Sequence, residues 1–497
     1  MKKYTAYLLL SLFVAGLISS CSKLKPAANP AYDYVAEGRG TWLGMGQTRG
    51  LNWDSTMAAL KDAGFNMVFP CMCSAGAALY PSEFVPMVSD RNELKLCLEA
   101  AHRNGIEVHV WKINWRMAGT TDENNQEMIQ AGRIQYGPDG RPSTEVAASF
   151  GWPRKGESLC PSQEANRQLE LDVMLELARK YDVDGVHFDY MRYEFEPLCY
   201  CDKCRENFIK ETGLELKWPD DVWKGGKYRE LYLDWRRYLI HSSAREIARA
   251  VHTYDPYVCV SLAARRQLIQ HVYESDAQVW WEWIKEGILD FVTPMNYSEE
   301  AETYADLIKQ QFPLVRGAIP YYAGIGVFRM KAWPPFKKAI ELGRDLGEDG
   351  YLTFSLPSIL PFLSQLKEEK INPPALLPHR APETRFFLQP GKGESQEGLQ
   401  IYSPGSEVNF KVDVMFKGKL REGISRIQGD IVLVKTSGEI VAKIRSLDLN
   451  QATVTELSVA CGEQGRYRLA FYGTMTLSTR EIRPFITKSF PFEVKAS

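Results

Sequence analysis

The run Val183-Asp184-Gly185-Val186-His187-Phe188-Asp189-Tyr190-Met191-Arg192-Tyr193 constrains the fold more than any other stretch of this chain. Period-two alternation puts Val186 and Phe188 on one face and Gly185, His187 and Asp189 on the other. An amphipathic helical pattern over 164–181 leads into it. A strand with polar groups on its inward face predicts a barrel wall that delivers Asp189 to a site at its C-terminal end.

The rest of the chain supports that prediction. Strand-like runs at 41–45, 66–70, 106–111, 185–189, 257–263, 291–297, 314–319 and 350–354 are each followed by a loop and usually by a helical pattern. Eight such units predict a (β/α)8 TIM barrel over 37–372. An open doubly wound sheet is the alternative, but no Gly-rich phosphate fingerprint follows the first strand. Pro373, Pro374, Pro378 and Pro382 mark a linker over 373–382. Short alternating runs separated by Gly, Ser and Asn then predict an immunoglobulin- or fibronectin-like β-sandwich over 383–497, an accessory domain without a clustered acid, base or metal set.

The N-terminus reads as an address. Lys2 and Lys3 precede an apolar run from Tyr7 to Ile18, too short to span a membrane, and Ile18-Ser19-Ser20-Cys21 follows. Small residues before a cysteine resemble the bacterial lipobox, which implies a signal peptide over 1–20, lipidation at Cys21 and a tether over 21–36. The expected location is therefore the bacterial cell envelope, anchored to a membrane and most simply the outer one. With 60 basic and 62 acidic residues and no block of like charge, the chain gives no sign of a nucleic-acid partner.

Arg39-Gly40-Thr41-Trp42, Phe65-Asn66-Met67-Val68-Phe69-Pro70, Gly105-Ile106-Glu107-Val108-His109-Val110-Trp111, the 181–193 run and Asp290-Phe291-Val292-Thr293-Pro294-Met295-Asn296-Tyr297 together resemble glycosyl hydrolase-like family 10 in order and strand position. That family groups TIM-barrel envelope proteins, some of which cleave peptidoglycan glycan strands stripped of their peptides. The resemblance implies a glycosidase acting on O-glycosidic bonds of peptidoglycan or another amino-sugar polymer. The competing expectation is a glycan-binding lipoprotein that keeps the cleft but has lost turnover.

Glycoside hydrolysis needs a proton donor for the leaving oxygen and a second group at the oxocarbenium centre or its water. Asp189 is the one carboxylate that ends a predicted strand, so it is the expected acid or base, with a salt bridge to Arg192 as the structural alternative. His187, one pleat deeper, is expected either to orient it and contact substrate or to be a hydrogen-bonded lumen histidine. Glu107, His109 and Trp111 alternate on the third strand, which makes Trp111 a candidate sugar platform, with barrel-top packing as its alternative, and His109 a candidate substrate contact or supporting hydrogen bonder in preference to a metal ligand. Arg192, Tyr193, Asn296 and Tyr297 complete the expected substrate-binding set. Chitinase-like enzymes carry an acid Glu where this chain has Met191, and the seventh unit offers no carboxylate. Glu194 and Glu299 are therefore the weak candidates for the second group, although Ser298 followed by Glu299 and Glu300 also reads as a helix cap with an acidic first turn.

Cysteines give a second signal. Cys199-Tyr200-Cys201-Asp202-Lys203-Cys204, with Cys160, resembles the zinc cluster of glycoside hydrolase family 42 β-galactosidases in spacing. Four thiolates suit a closed structural zinc site beside Asp189, and disulfides are the rival reading. No cofactor is expected for catalysis. Neither a Gly-x-Ser-x-Gly elbow nor a helical pair of metal-binding histidines is present.

Overall fold

The computed structural model describes residues 29–496, apart from 268–269 and 396–397. The expected signal peptide, Cys21 and the first half of the tether lie outside these residues. Eight parallel strands form the barrel: β1 Gly38–Leu43, β2 Met67–Ser74, β3 Glu107–Ile113, β4 Gly185–Asp189, β5 Cys259–Leu262, β6 Phe291–Val292, β7 Tyr322–Ile325 and β8 Gly350–Phe354. Their order is β6-β5-β4-β3-β2-β1-β8-β7, and a parallel bridge from Val292 to Tyr321 closes the ring.

Alternation works as the sequence predicts. Val186 and Phe188 pack outward under the helices, the longest of which before β4 spans Glu164–Lys180. Inward-facing Trp42, Met67, Phe69, Cys71, Trp111, Phe291, Tyr322 and Leu352 fill the lumen, so the barrel is a packed core and not a pore. His109 stacks on Phe69 at 5.0 Å between ring centroids. A Cβ on Gly185 would meet His109 Nδ1 at 2.1 Å, so glycine at this point of β4 is what lets the imidazole lie across the lumen.

One predicted strand is misplaced. Leu314 and Val315 close the helix Ala301–Val315, and Arg316 and Gly317 then turn the chain with φ of 47° and 69°. The seventh strand begins at Tyr322. A short apolar run serves a helix end as well as a strand, and here it is the buried face of the helix. The same helix is capped at Glu300 and not at Ser298, whose hydroxyl donates to the Glu300 carbonyl oxygen at 2.8 Å.

The second half of the expected tether is docked. Val35–Ala36 pairs in parallel with Ala375–Leu376, and Tyr32 stacks on Tyr472 of the C-terminal region at 5.1 Å. Beyond Pro382 two sheets enclose their own apolar core, built from Val408, Phe410, Val412, Ile431, Leu433, Leu469 and Phe471. The pairing is antiparallel except where Ile401–Tyr402 meets Glu493–Val494. Between the two units, Pro378–Arg380 forms a single turn that plugs the N-terminal end of the barrel.

Candidate active site

β4 carries Asp189 to the C-terminal mouth, and the chain turns at once. Tyr190 adopts φ of 55°, a left-handed conformation that is costly for a bulky residue and that recurs at functional sites. The turn folds the Tyr190 N–H back onto Asp189 Oδ1 at 2.7 Å, and Arg192 Nη1 lies 3.4 Å from the same oxygen. Burial still pushes the Asp189 carboxyl above its ordinary range, against the opposing pull of Arg192 and the Tyr190 N–H. A buried acid raised in this way holds its proton nearer neutrality, as a general acid must.

Rings wall the mouth. Tyr297 packs against Phe354 at 5.2 Å and Trp42 at 6.3 Å, and burial together with the charge of Asp189 pushes the Tyr297 hydroxyl well up. Trp111 meets Phe354 edge to face at 6.4 Å, and its buried indole N–H has no hydrogen-bond partner among the described residues. Both positions suit contact with a sugar face.

Other expected residues sit elsewhere. His187 accepts from Trp42 Nε1 at Nε2 (3.1 Å), so its Nδ1–H faces Ser261 Oγ at 2.8 Å. Burial, then His109, holds its pKa well below the usual value, so it is a neutral lumen residue with both nitrogens occupied and no hydrogen bond to Asp189. His109 lies deeper still, with Nε2 3.1 Å from Glu107 near the N-terminal end, and does not reach the mouth. Tyr193 is fully buried beneath the Arg236 guanidinium, 4.2 Å from its ring centroid. Asn296 is also fully buried and donates to Gln311 Oε1 at 2.9 Å, so it ties the loop after β6 to the next helix. The expected substrate contacts at His109, Tyr193 and Asn296 are thus replaced by packing roles.

The two candidate second carboxylates differ. Glu194 is paired with Arg154 at the rim, its side chain 15% exposed. Glu299 is 77% exposed and 3.8 Å from Arg329, which leaves it in water. The true end of β7, Ile325-Gly326-Val327, also carries no carboxylate.

Several residues of the mouth had no mark in the sequence. Glu170, on the helix before β4, accepts from Lys112, from Asn114 Nδ2 at 2.6 Å and from the Trp115 N–H at 2.9 Å. This buried brace holds the turn after β3 and so presents Arg116, whose guanidinium lies 5.5 Å from the Tyr190 ring centroid. Arg192 stacks on the same ring at 4.2 Å.

Beside the mouth, Cys160, Cys199, Cys201 and Cys204 converge and are all buried. The Cys160–Cys204 sulfur separation is 3.4 Å, and Cys201 lies 3.6 Å from each of them. A zinc–sulfur bond of about 2.3 Å gives tetrahedral edges of roughly 3.8 Å, whereas a disulfide needs about 2.05 Å. The donor set and spacing fit a four-thiolate metal site.

Comparison with known proteins follows the same outline. The chain matches the glycosyl hydrolase-like 10 family over residues 39–318, more than half its length. It is 24% identical over 306 residues to the glycosyl hydrolase DigH of Escherichia coli strain CFT073 and to that of strain K12. Each match covers 54% of this chain and 64% of the relative, so the chain spans less than two thirds of the relatives' length. Among solved structures, the PgaB (BpsB) glycoside hydrolase domain from Bordetella bronchiseptica superposes with a TM-score of 0.52 at 13% identity, covering 67% of this chain and 98% of that domain. That likeness shows the shared barrel fold. The motifs, the barrel and the family match agree, and the chain belongs to the glycosyl hydrolase-like 10 family.

Proposed function

We propose that this protein is a lipid-anchored glycoside hydrolase of the bacterial cell envelope that cleaves O-glycosidic bonds of an amino-sugar polysaccharide, with peptidoglycan glycan strands as the favoured substrate. The observation that carries the reading is Asp189: a buried carboxyl, raised by that burial, at the C-terminal end of a barrel strand among Tyr297, Phe354 and Trp111. Asp189 exchanges the proton at the glycosidic oxygen or the attacking water, and the rings bind sugar faces. Glu194 serves as the second carboxylate once substrate draws Arg154 away from it.

The pairing of Glu194 with Arg154 also favours a second reading, a glycan-binding protein without turnover. Incubating the purified chain with peptide-free glycan strands and measuring new reducing ends separates the two. Release supports hydrolysis, and strands bound but intact after long incubation support the binding protein.

In this reading Cys160, Cys199, Cys201 and Cys204 hold a structural zinc that fixes the loop after β4. Elemental analysis is expected to find close to one zinc per chain, and disulfides among these four positions would contradict it. Lipidation at Cys21 predicts that the protein partitions with membranes and that Cys21→Ala releases it. A wild type recovered wholly in the soluble fraction would contradict the anchor.

A further inference from the structure

Arg116 stands out among the buried and half-buried cations of the barrel. Its guanidinium makes no hydrogen bond and no ion pair among the described residues, and its Nε is fully shielded from water without a partner. Its guanidinium lies over the Tyr190 ring, 5.5 Å from the centroid, and its charge also reaches Asp189. Arg154 lies close by: it donates to Ser158 Oγ at 3.0 Å and pairs with Glu194, yet its Nε is also buried and unpartnered. Burial, then the nearby charge of Arg116, pulls Arg154 down to about 10, so the two cations feel each other. Arg192 adds a third guanidinium over Tyr190.

Few anions answer them. Among the described residues Asp189 is the carboxylate that pairs with Arg192, at 3.4 Å, and it also feels the charge of Arg116 without a hydrogen bond to it; the burial that raises Asp189 favours its neutral form. Glu157 is consumed by Ser143 and Thr144. The Glu170 brace holds the preceding Trp115 N–H, the Ala75 N–H donates to the Arg116 carbonyl oxygen at 3.0 Å, and the planar fork of Arg116 is left unused. A guanidinium with free donors, carried on a held backbone in a partly dehydrated cleft, matches the geometry of a carboxylate.

We propose that Arg116, supported by Arg154, binds a carboxylate carried by the sugar seated next to Asp189, so that the site selects acidic glycans over neutral ones. The proposal rests on the glycosidase reading for the identity of the ligand as a sugar. The carboxylate can belong to a lactyl ether substituent or to a uronic acid, and the guanidinium recognises either.

Binding tests it without turnover. The full chain carrying Asp189→Asn is titrated at low salt with peptide-free peptidoglycan strands, with the same strands after reduction of their carboxylates to alcohols, with chitin oligosaccharides and with hyaluronan oligosaccharides. The lactyl or the uronate form is expected to bind about ten- to a hundredfold tighter than the reduced and neutral glycans, the scale of a charge-assisted paired hydrogen bond. The arm that wins names the source. Adding Arg116→Gln is expected to abolish the preference, and Arg116→Lys, which keeps the charge but not the fork, to retain part of it.

Equal binding of charged and reduced strands, no binding of any, or a preference that survives in folded Arg116→Gln protein would overturn the proposal. Should Arg116→Gln not fold, Arg116→Lys binding with the full wild-type preference would overturn it as well. A preference for charged strands with no new reducing ends from wild-type protein would leave this inference standing and defeat the hydrolase reading alone.

Discussion

The two ends of the barrel both bury charge, and they treat it in opposite ways. At the N-terminal end Glu107 accepts from Arg380 Nε at 2.7 Å and from His379 and His109 at 3.0 and 3.1 Å, while Arg380 also donates to the carbonyls of Tyr257, Asp184 and Lys419. Arg380 stacks on Tyr257 at 3.9 Å, so the turn from the linker is clamped into the strand ends. At the C-terminal end Asp189 has one arginine at 3.4 Å, and among the described residues the Arg116 side chain has no hydrogen-bond partner and the Trp111 N–H is unsatisfied. Buried polar groups are normally paired; His109 Nδ1 at the closed end is also without a partner among the described residues, but at the open end the unpaired groups include charged ones and line the mouth. The closed end holds the molecule together, and the open end is where the proposed chemistry would take place.

That contrast can be broken most forcefully at the closed end. Glu107→Ala leaves Arg380 among carbonyls and rings with its countercharge gone, which is expected to cost about 3 kcal/mol. Thermal unfolding should show the loss, and glycan binding by the folded fraction should be unchanged. Lost binding with unchanged stability would reverse the assignment of the two ends.

Acid gives the next effect. Burial alone would raise Glu107 and Glu37, but Arg380 and His379 hold the first well below the carboxylate range, and Arg39 and Arg344 hold the second at about 2. Burial also lowers His379 to about 4, against Glu107. All three bind fewer protons folded than unfolded. Their contribution is complete above about pH 6.5 and drains as the pH falls, first through His379 and then through the carboxylates below roughly pH 4.5. Asp189, raised, works the other way and is relieved by acid. The melting temperature should therefore drop steadily from pH 6.5 downward by the equivalent of about 2–3 kcal/mol. A flat profile to pH 4 would show the closed end to be weaker than drawn.

A smaller shift sharpens the open end. Arg192 lowers Asp189, so Arg192→Gln should move the Asp189 limb of the pH–rate profile upward by roughly one unit, whether Asp189 acts as acid or base. An unmoved limb would assign it to another group. The smallest effect is a null: Glu299→Gln removes an exposed charge 3.8 Å from Arg329 and should change stability by less than about 0.5 kcal/mol and turnover by less than twofold.

The sequence carried the barrel because alternation and helix periodicity repeat eight times, and it failed at the seventh unit, where Leu314-Val315 is apolar in a helix as readily as in a strand. Asp189 was readable because it ends a run whose inward face is polar. His109 as a substrate contact was misplaced through depth: two residues below Trp111 on β3, at about 3.3 Å per residue, it lies nearer the closed end and hydrogen-bonds Glu107. Asn296 follows a strand end, but its side chain turns to Gln311, and that buried glutamine on the next helix was the signal available. Arg116 had none, because its position depends on Glu170 in a helix more than fifty residues away in sequence. Side-chain satisfaction is a property of the assembled fold and has no local pattern.

The central claim is that the open end transfers a proton through Asp189. Reducing-end release from peptide-free glycan strands, compared between wild type and Asp189→Asn with binding measured alongside, tests it most directly. The account predicts a folded variant that still binds the strands and turns them over about a hundredfold more slowly or worse, the usual loss on removing a general acid or base. Wild-type rates from folded Asp189→Asn protein would contradict it.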